Sequence, residues 1–183
     1  MKLSGTHTIA ASKERVWELL VDPARLAKCI PGCDKLETVG ENEYTGEINV
    51  GIAAVKGLYN GKVKLEDLAP PRHYRIVVDG KGKQGFIKGT GTIDLDDQGA
   101  QTLLRYAGDA QIGGLVAGVG QRMIEGAAKT MLVQFFTAVE AEVVAPPGAV
   151  VRQGILINFW RYFLKLLRET FSRWFGKRDA SGT

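Results

Sequence analysis

The sequence predicts an α+β domain, a curved antiparallel sheet of about seven strands with a long helix laid on one face, followed by a separate amphipathic helix. Three observations predict it. Apolar residues alternate with period two from residue 34 to 112, and turn signals interrupt them at regular intervals. A helical period replaces the alternation over 114–143, starting at Gly113-Gly114. Pro146-Pro147-Gly148 then breaks that helix and begins a linker. Strands segregated from helices in this way place the helix on one face of the sheet.

The elements follow in order. Residues 2–10 fit a first strand. Ser12 is placed to cap a short helix over 13–21, whose apolar side is Val16, Trp17, Leu19 and Leu20. Asp22-Pro23 reads as an N-cap with Pro at the first helical position of a second short helix, which stops near Cys29-Ile30-Pro31-Gly32-Cys33. Six strands follow. Their turns fall at Gly40-Glu41-Asn42, around Val55-Lys56-Gly57, at Pro70-Pro71, at Lys81 to Gln84 and at Asp97-Gln98-Gly99, which describes a meander.

Composition narrows the function classes. An apolar content of 45% and a charged content of 24% exclude wholesale disorder. Two Cys exclude a disulfide-rich secreted scaffold. The first residues hold no apolar signal core, so a cytoplasmic location is expected. Net charge is unevenly placed. Residues 1–149 carry 17 Lys/Arg against 18 Asp/Glu, whereas 150–183 carry 7 against 2. A near-neutral body does not suit a nucleic-acid binder, which must neutralise phosphates.

Strand parity identifies an inner face with few side chains to fill it. The apolar parity holds Tyr44, Gly46, Ile48 and Val50, then Tyr59, Gly61, Val63 and Leu65, then Tyr74, Ile76, Val78 and Gly80. Next come Ile87, Gly89, Gly91, Ile93 and Leu95, and then Leu104, Tyr106, Gly108, Ala110 and Ile112. Five strands thus carry an inward glycine, which either relieves curvature or leaves an apolar cavity. On the long helix Arg122, Glu125, Lys129 and Glu140 mark a wet side. Opposite them lie Val116, Gly120, Met123, Ala127, Met131, Gln134 and Ala138, a small and adaptable set that would leave space against the sheet. The larger Ile124, Leu132, Phe135 and Val139 fall toward one flank.

Polar groups on these faces are few. His7 has inward parity, and is either a satisfied core histidine or a hydrogen-bonding partner for a ligand. Gln134 and the phenols of Tyr44, Tyr59, Tyr74 and Tyr106 carry the same two readings. Cys29 and Cys33 lack a second Cys/His pair and read as buried thiols. Gly80 to Gly85 matches G-x-G-x-x-G but joins two strands, so it lacks the helix a phosphate cradle needs. No inward strand position holds Asp, Glu, Lys or Arg, which argues against acid–base or nucleophilic catalysis.

The last helical stretch, 154–176, is rich in Ile, Leu, Phe, Trp and Tyr and holds 7 of the chain's 15 aromatics. Asn158, Arg161, Lys165, Arg168 and Ser172 form one polar stripe. A charge at every turn is wrong for a spanning helix but suits one lying in an anionic bilayer interface. Phe159, Trp160, Arg161, Phe163, Lys165, Arg168, Phe171, Trp174 and Phe175 are its expected membrane contacts. Docking on a partner protein is the other reading. Residues 1–145 are thus expected to form the ligand-binding domain, 146–153 a linker, 154–176 the membrane helix and 177–183 a disordered tail.

The segment Ser12 to Pro23, followed by Leu26-Ala27-Lys28-Cys29-Ile30-Pro31-Gly32-Cys33, resembles the CoxG family of carbon monoxide dehydrogenase subunits. Gly85-Phe86-Ile87-Lys88-Gly89-Thr90-Gly91 and Gly113-Gly114-Leu115 extend the resemblance over about residues 1–145. It implies the START-like (SRPBCC) helix-grip fold and a non-catalytic accessory protein of a molybdenum-containing dehydrogenase. Relatives of that fold bind lipids, polyketides and quinones. The expected function is therefore to hold a respiratory quinone or other isoprenoid lipid and to link the dehydrogenase to the cytoplasmic face of the inner membrane. The expected ligand-binding residues are His7, Tyr44, Tyr59, Tyr74, Gly89, Gly91, Tyr106, Val116, Gly120, Met123, Ala127, Met131 and Gln134, with no metal and no catalytic cofactor. The alternatives are a recruitment adaptor that carries no ligand and a small cavity enzyme using Tyr and His7.

Overall fold

The computed structural model describes residues 1–52 and 55–145. Seven strands form one antiparallel sheet: β1 (Lys2–Ile9), β2 (Cys33–Gly40), β3 (Glu43–Val50), β4 (Gly57–Ala69), β5 (His73–Gly82), β6 (Gly85–Asp97) and β7 (Thr102–Gly113). Their order is β1-β7-β6-β5-β4-β3-β2. The six consecutive strands form the expected meander, and β1 closes on β7 with Leu3 opposite Gly108 and His7 opposite Leu104. Helices α1 (Lys13–Val21) and α2 (Pro23–Cys29) carry the chain from one sheet edge to the other, and α3 (Gln121–Val144) is the long helix. This is the α+β architecture that the sequence predicts, in the helix-grip arrangement that the resemblance implies.

Strand parity follows the sequence. Along β1 and β4 exposed residues, all polar except Leu58, alternate with half-buried or buried ones up to buried Ile9 and Leu65. The core gathers where α1 meets the sheet. Val16, Leu19 and Leu20 on α1 pack with Ile9, Leu95 and Leu104 of the strands and Val139 and Val143 of α3. Each fully buried side chain of this size contributes roughly 1.5–3 kcal/mol relative to exposure.

Capping differs between the two short helices. The Asp22 side chain accepts from the Ala24 and Arg25 amides at 2.8 and 3.2 Å, with Pro23 at the first helical position, as expected. Ser12 stands at the α1 N-cap in extended backbone, but its hydroxyl makes no capping bond. Basic side chains hold the other end of α3. Arg15 Nη2 donates to the Val143 carbonyl at 2.6 Å and Arg25 Nη2 to the Glu142 carbonyl at 3.2 Å, where the helix dipole favours positive charge.

Two expectations are corrected here. The long helix starts at Gln121, because Leu115–Val119 forms a short 3-10 helix and Gly120, at φ +92°, breaks the path between them. Its inner face is also rotated from the expected one. Phe136, Val139 and Val143 are buried along with Ala127 of the expected face, whereas Met123 is 56% exposed and Gln134 is exposed. Burial follows the bulkiest apolar row, since hydrophobic stabilisation scales with area. The polar marker misled as well, because Glu140 reaches back to His7 on β1. The expected linker 146–153, helix 154–176 and tail 177–183 lie outside the described residues, as do the membrane contacts Phe159, Trp160, Arg161, Phe163, Lys165, Arg168, Phe171, Trp174 and Phe175.

Candidate functional site

A cavity of about 450 Å³, partly open to solvent, lies on the inner face of the sheet. Its sheet wall comes from the parity set: Tyr44, Val63, Leu65, Tyr74, Ile76, Val78, Ile87 and Ile93, with Leu104 and Tyr106. Leu132, Phe135 and Phe136 supply the helix side. Leu20, Val21, Pro23, Leu26 and Ile30 of the α1–α2 segment line it too. Such a volume and such walls are those of a site for a hydrophobic molecule. The one charged side chain in the lining, Asp109, is 60% exposed and lies 3.4 Å from the Met1 amine.

The inward glycines divide into two groups. Gly89, Gly91 and Gly108 line the cavity. Gly46, Gly61 and Gly80 are register partners across three strands. A Cβ on Gly61 would stand 3.2 Å from both the Asp79 carbonyl oxygen and Gly80 Cα. One on Gly89 would stand 2.8 Å from the Asp109 carbonyl oxygen. Close backbone approach therefore accounts for Gly61, and at Gly89 it coincides with open space on the inner face. Gly89, Gly91 and Gly108 fit the reading of open space on the inner face, while Gly46, Gly61 and Gly80 lie outside the cavity lining.

Five of the expected ligand residues meet in the cavity wall: Tyr44, Tyr74, Gly89, Gly91 and Tyr106. The other eight stand elsewhere. His7 keeps its inward parity, but its ring stacks on Phe136 at 4.4 Å and its Nε2 lies 2.7 Å from Glu140 Oε1. The Tyr59 hydroxyl donates to the Val55 carbonyl at 3.1 Å. Val116 is buried in the 3-10 helix, and its amide donates to the Gln84 carbonyl at 2.8 Å. Gly120, Met123 and Gln134 are exposed; Ala127 is buried and Met131 half-buried, both outside the wall. Sequence reasoning missed Leu132, Phe135 and Phe136 as lining. The bulk of Leu132 and Phe135 on one flank was the available signal.

The phenols differ in environment. Tyr74 is 3% exposed, with Trp17 edge-on at 5.6 Å. Burial, and then repulsion from a Tyr44 phenolate, pushes its ionisation well above the usual phenol range. Burial also raises Tyr59. Cys29 Sγ lies 3.6 Å from the Arg25 carbonyl. Burial, with Glu142 nearby, pushes its thiol up to about 11, so it is a weak nucleophile at neutral pH. Among the described residues no three His, Cys, Asp or Glu side chains are grouped to hold a metal ion.

Comparison with known proteins bears on this geometry. A model of the family described as the CoxG subunit of carbon monoxide dehydrogenase matches residues 5–144. No curated protein matches the chain. A conserved protein from Geobacillus kaustophilus is 40% identical, with a TM-score of 0.76, over 78% of this chain and 95% of that one. A START superfamily protein from Mycobacterium smegmatis is 17% identical, with a TM-score of 0.61, over 78% and 96%. The Zhui aromatase/cyclase from Streptomyces sp. R1128 is 20% identical, with a TM-score of 0.59, over 82% and 99%. The last two show the fold alone, and the same fold serves binding and catalysis.

Proposed function

The chain belongs to the CoxG family of carbon monoxide dehydrogenase subunits, and from that premise we propose that it is an accessory protein carrying a respiratory quinone between the membrane and a molybdenum-containing dehydrogenase. The observation that supports carriage is the cavity. It offers about 450 Å³ behind apolar walls, enough for a fused-ring head with part of an isoprenoid chain. Apolar burial supplies the affinity, at roughly 25 cal/mol per Å² before the costs of association.

The wall favours a carrier over an enzyme. The phenol of Tyr74 stays protonated, His7 is engaged with Glu140, and Asp109 is mostly exposed. Thr90 and Asp109 are register partners in the lining, but no hydrogen bond among the described residues joins that carboxylate to the hydroxyl. Attachment to the cytoplasmic face of the inner membrane rests on the aromatic, basic sequence of 154–176. No helix among the described residues is long and apolar enough to cross a membrane.

Vesicle transfer tests this reading. Full-length protein should speed movement of ubiquinone or menaquinone from donor to acceptor vesicles containing anionic lipid. A chain ending at Pro146 should keep ligand binding but sediment poorly with those vesicles. A full-length chain that binds vesicles and transfers no quinone is a tether, not a carrier.

A further inference from the structure

We propose that the Tyr74 hydroxyl is the donor that seats a carbonyl oxygen of the guest, so the cavity selects a ring ketone or quinone over a hydrocarbon of the same shape. This rests on the carrier reading above and names the group that gives it chemical selectivity. Four phenols have inward parity, and they divide cleanly. Tyr59, outside the cavity, donates to the Val55 carbonyl. Tyr44, Tyr74 and Tyr106 line the cavity, and among the described residues their hydroxyls bond to no protein group. Tyr74 stands apart from the other two by being 3% exposed. Its ring is fixed by Trp17 on one side and by β6, where its register partner is Ile93.

A guest that fills the cavity displaces water from the hydroxyls that line it, and that desolvation cost is recovered only where the guest supplies an acceptor. Burial keeps this phenol neutral, so it remains a donor across the physiological range. A carbonyl oxygen is the matching acceptor. A hydrocarbon guest would fill the same space and leave the hydroxyl unpaired, which is how one buried polar group discriminates between isosteres.

The test uses the full chain with two probes, menadione and 2-methylnaphthalene, which share the fused ring and methyl group and differ in the two carbonyls. Tyr74→Phe should weaken menadione binding about tenfold and leave 2-methylnaphthalene unchanged. Tyr59→Phe should change neither. In the wild-type protein the carbonyl stretch of bound menadione should move to lower wavenumber, a readout that needs no variant. An unshifted carbonyl band, or equal effects of Tyr74→Phe on both probes, overturns the assignment while leaving the carrier reading standing. Failure of wild-type protein to bind either probe overturns both.

Discussion

His7 Nε2 and Glu140 Oε1 lie 2.7 Å apart, so the edge strand β1 and the helix α3 are bonded directly to each other. The His7 ring also stacks on Phe136, one turn back on the same helix, at 4.4 Å and 12° between planes. The side chains are 33% and 46% exposed, so the polar pair contributes less than about 1 kcal/mol. Glu140→Gln should therefore lower stability by that little in urea unfolding. His7→Ala also removes the ring from Phe136 and should cost more, about 1–2 kcal/mol. Equal costs would mean the ring packing contributes nothing.

Leu19 and Leu132 separate core from cavity wall. Leu19 is fully buried, and Leu19→Ala should cost about 2–5 kcal/mol. Leu132 is half-buried and faces the cavity, so part of its surface already lacks protein neighbours. Leu132→Ala should cost about half as much or less in the same unfolding series, since less contact is lost. A larger loss at Leu132 would indicate that the cavity is closed by collapse in solution.

Filling the space should oppose binding without opposing folding. Ile76 is half-buried in the sheet wall, and Ile76→Phe adds its extra bulk to open volume instead of to a packed core. Thermal unfolding should hold within a few degrees while menadione affinity falls at least several-fold. Unchanged affinity would place the guest elsewhere.

The two thiols should behave differently with pH. Cys29 is buried with its pKa pushed up to about 11, and Cys33 is half-buried and raised less far. At pH 8 iodoacetamide should label Cys33 first and reach Cys29 after unfolding. Between about pH 9 and 11 the unfolded chain releases the Cys29 proton that the native state keeps. Stability from this group is thus complete below pH 9 and declines as pH rises. Cys29→Ala should shallow that decline in pH-resolved unfolding.

Much of the architecture was legible because two periods carry it. Alternation assigned the inner face of every long strand, including Tyr44, Tyr74 and Tyr106, since a strand has only two faces. The helix was harder. On a 100° repeat, polar residues locate a face cleanly only when they project straight to solvent, and half-exposed Glu140 leans onto the sheet to bond His7. Expected lining at Met123 and Gln134 failed for that reason, Gly120 because it precedes the helix, and Leu132, Phe135 and Phe136 took the role. His7 had the right parity, yet its contact with α3 depends on where the helix crosses β1, which no local pattern records. Glycine rows are ambiguous in the same way. A Cβ would meet a neighbouring strand's carbonyl oxygen at 3.2 Å at both Gly61 and Gly91, yet only Gly91 also lines the cavity, and sequence shows only the missing atom.

Organic extraction of the full-length protein, purified from its own cells without added lipid, followed by mass spectrometry, asks most directly whether the interior holds a guest. The carrier account predicts a quinone in near-stoichiometric amount, depleted in Ile76→Phe. An extract free of quinone and of any other isoprenoid lipid, from folded protein, would contradict it.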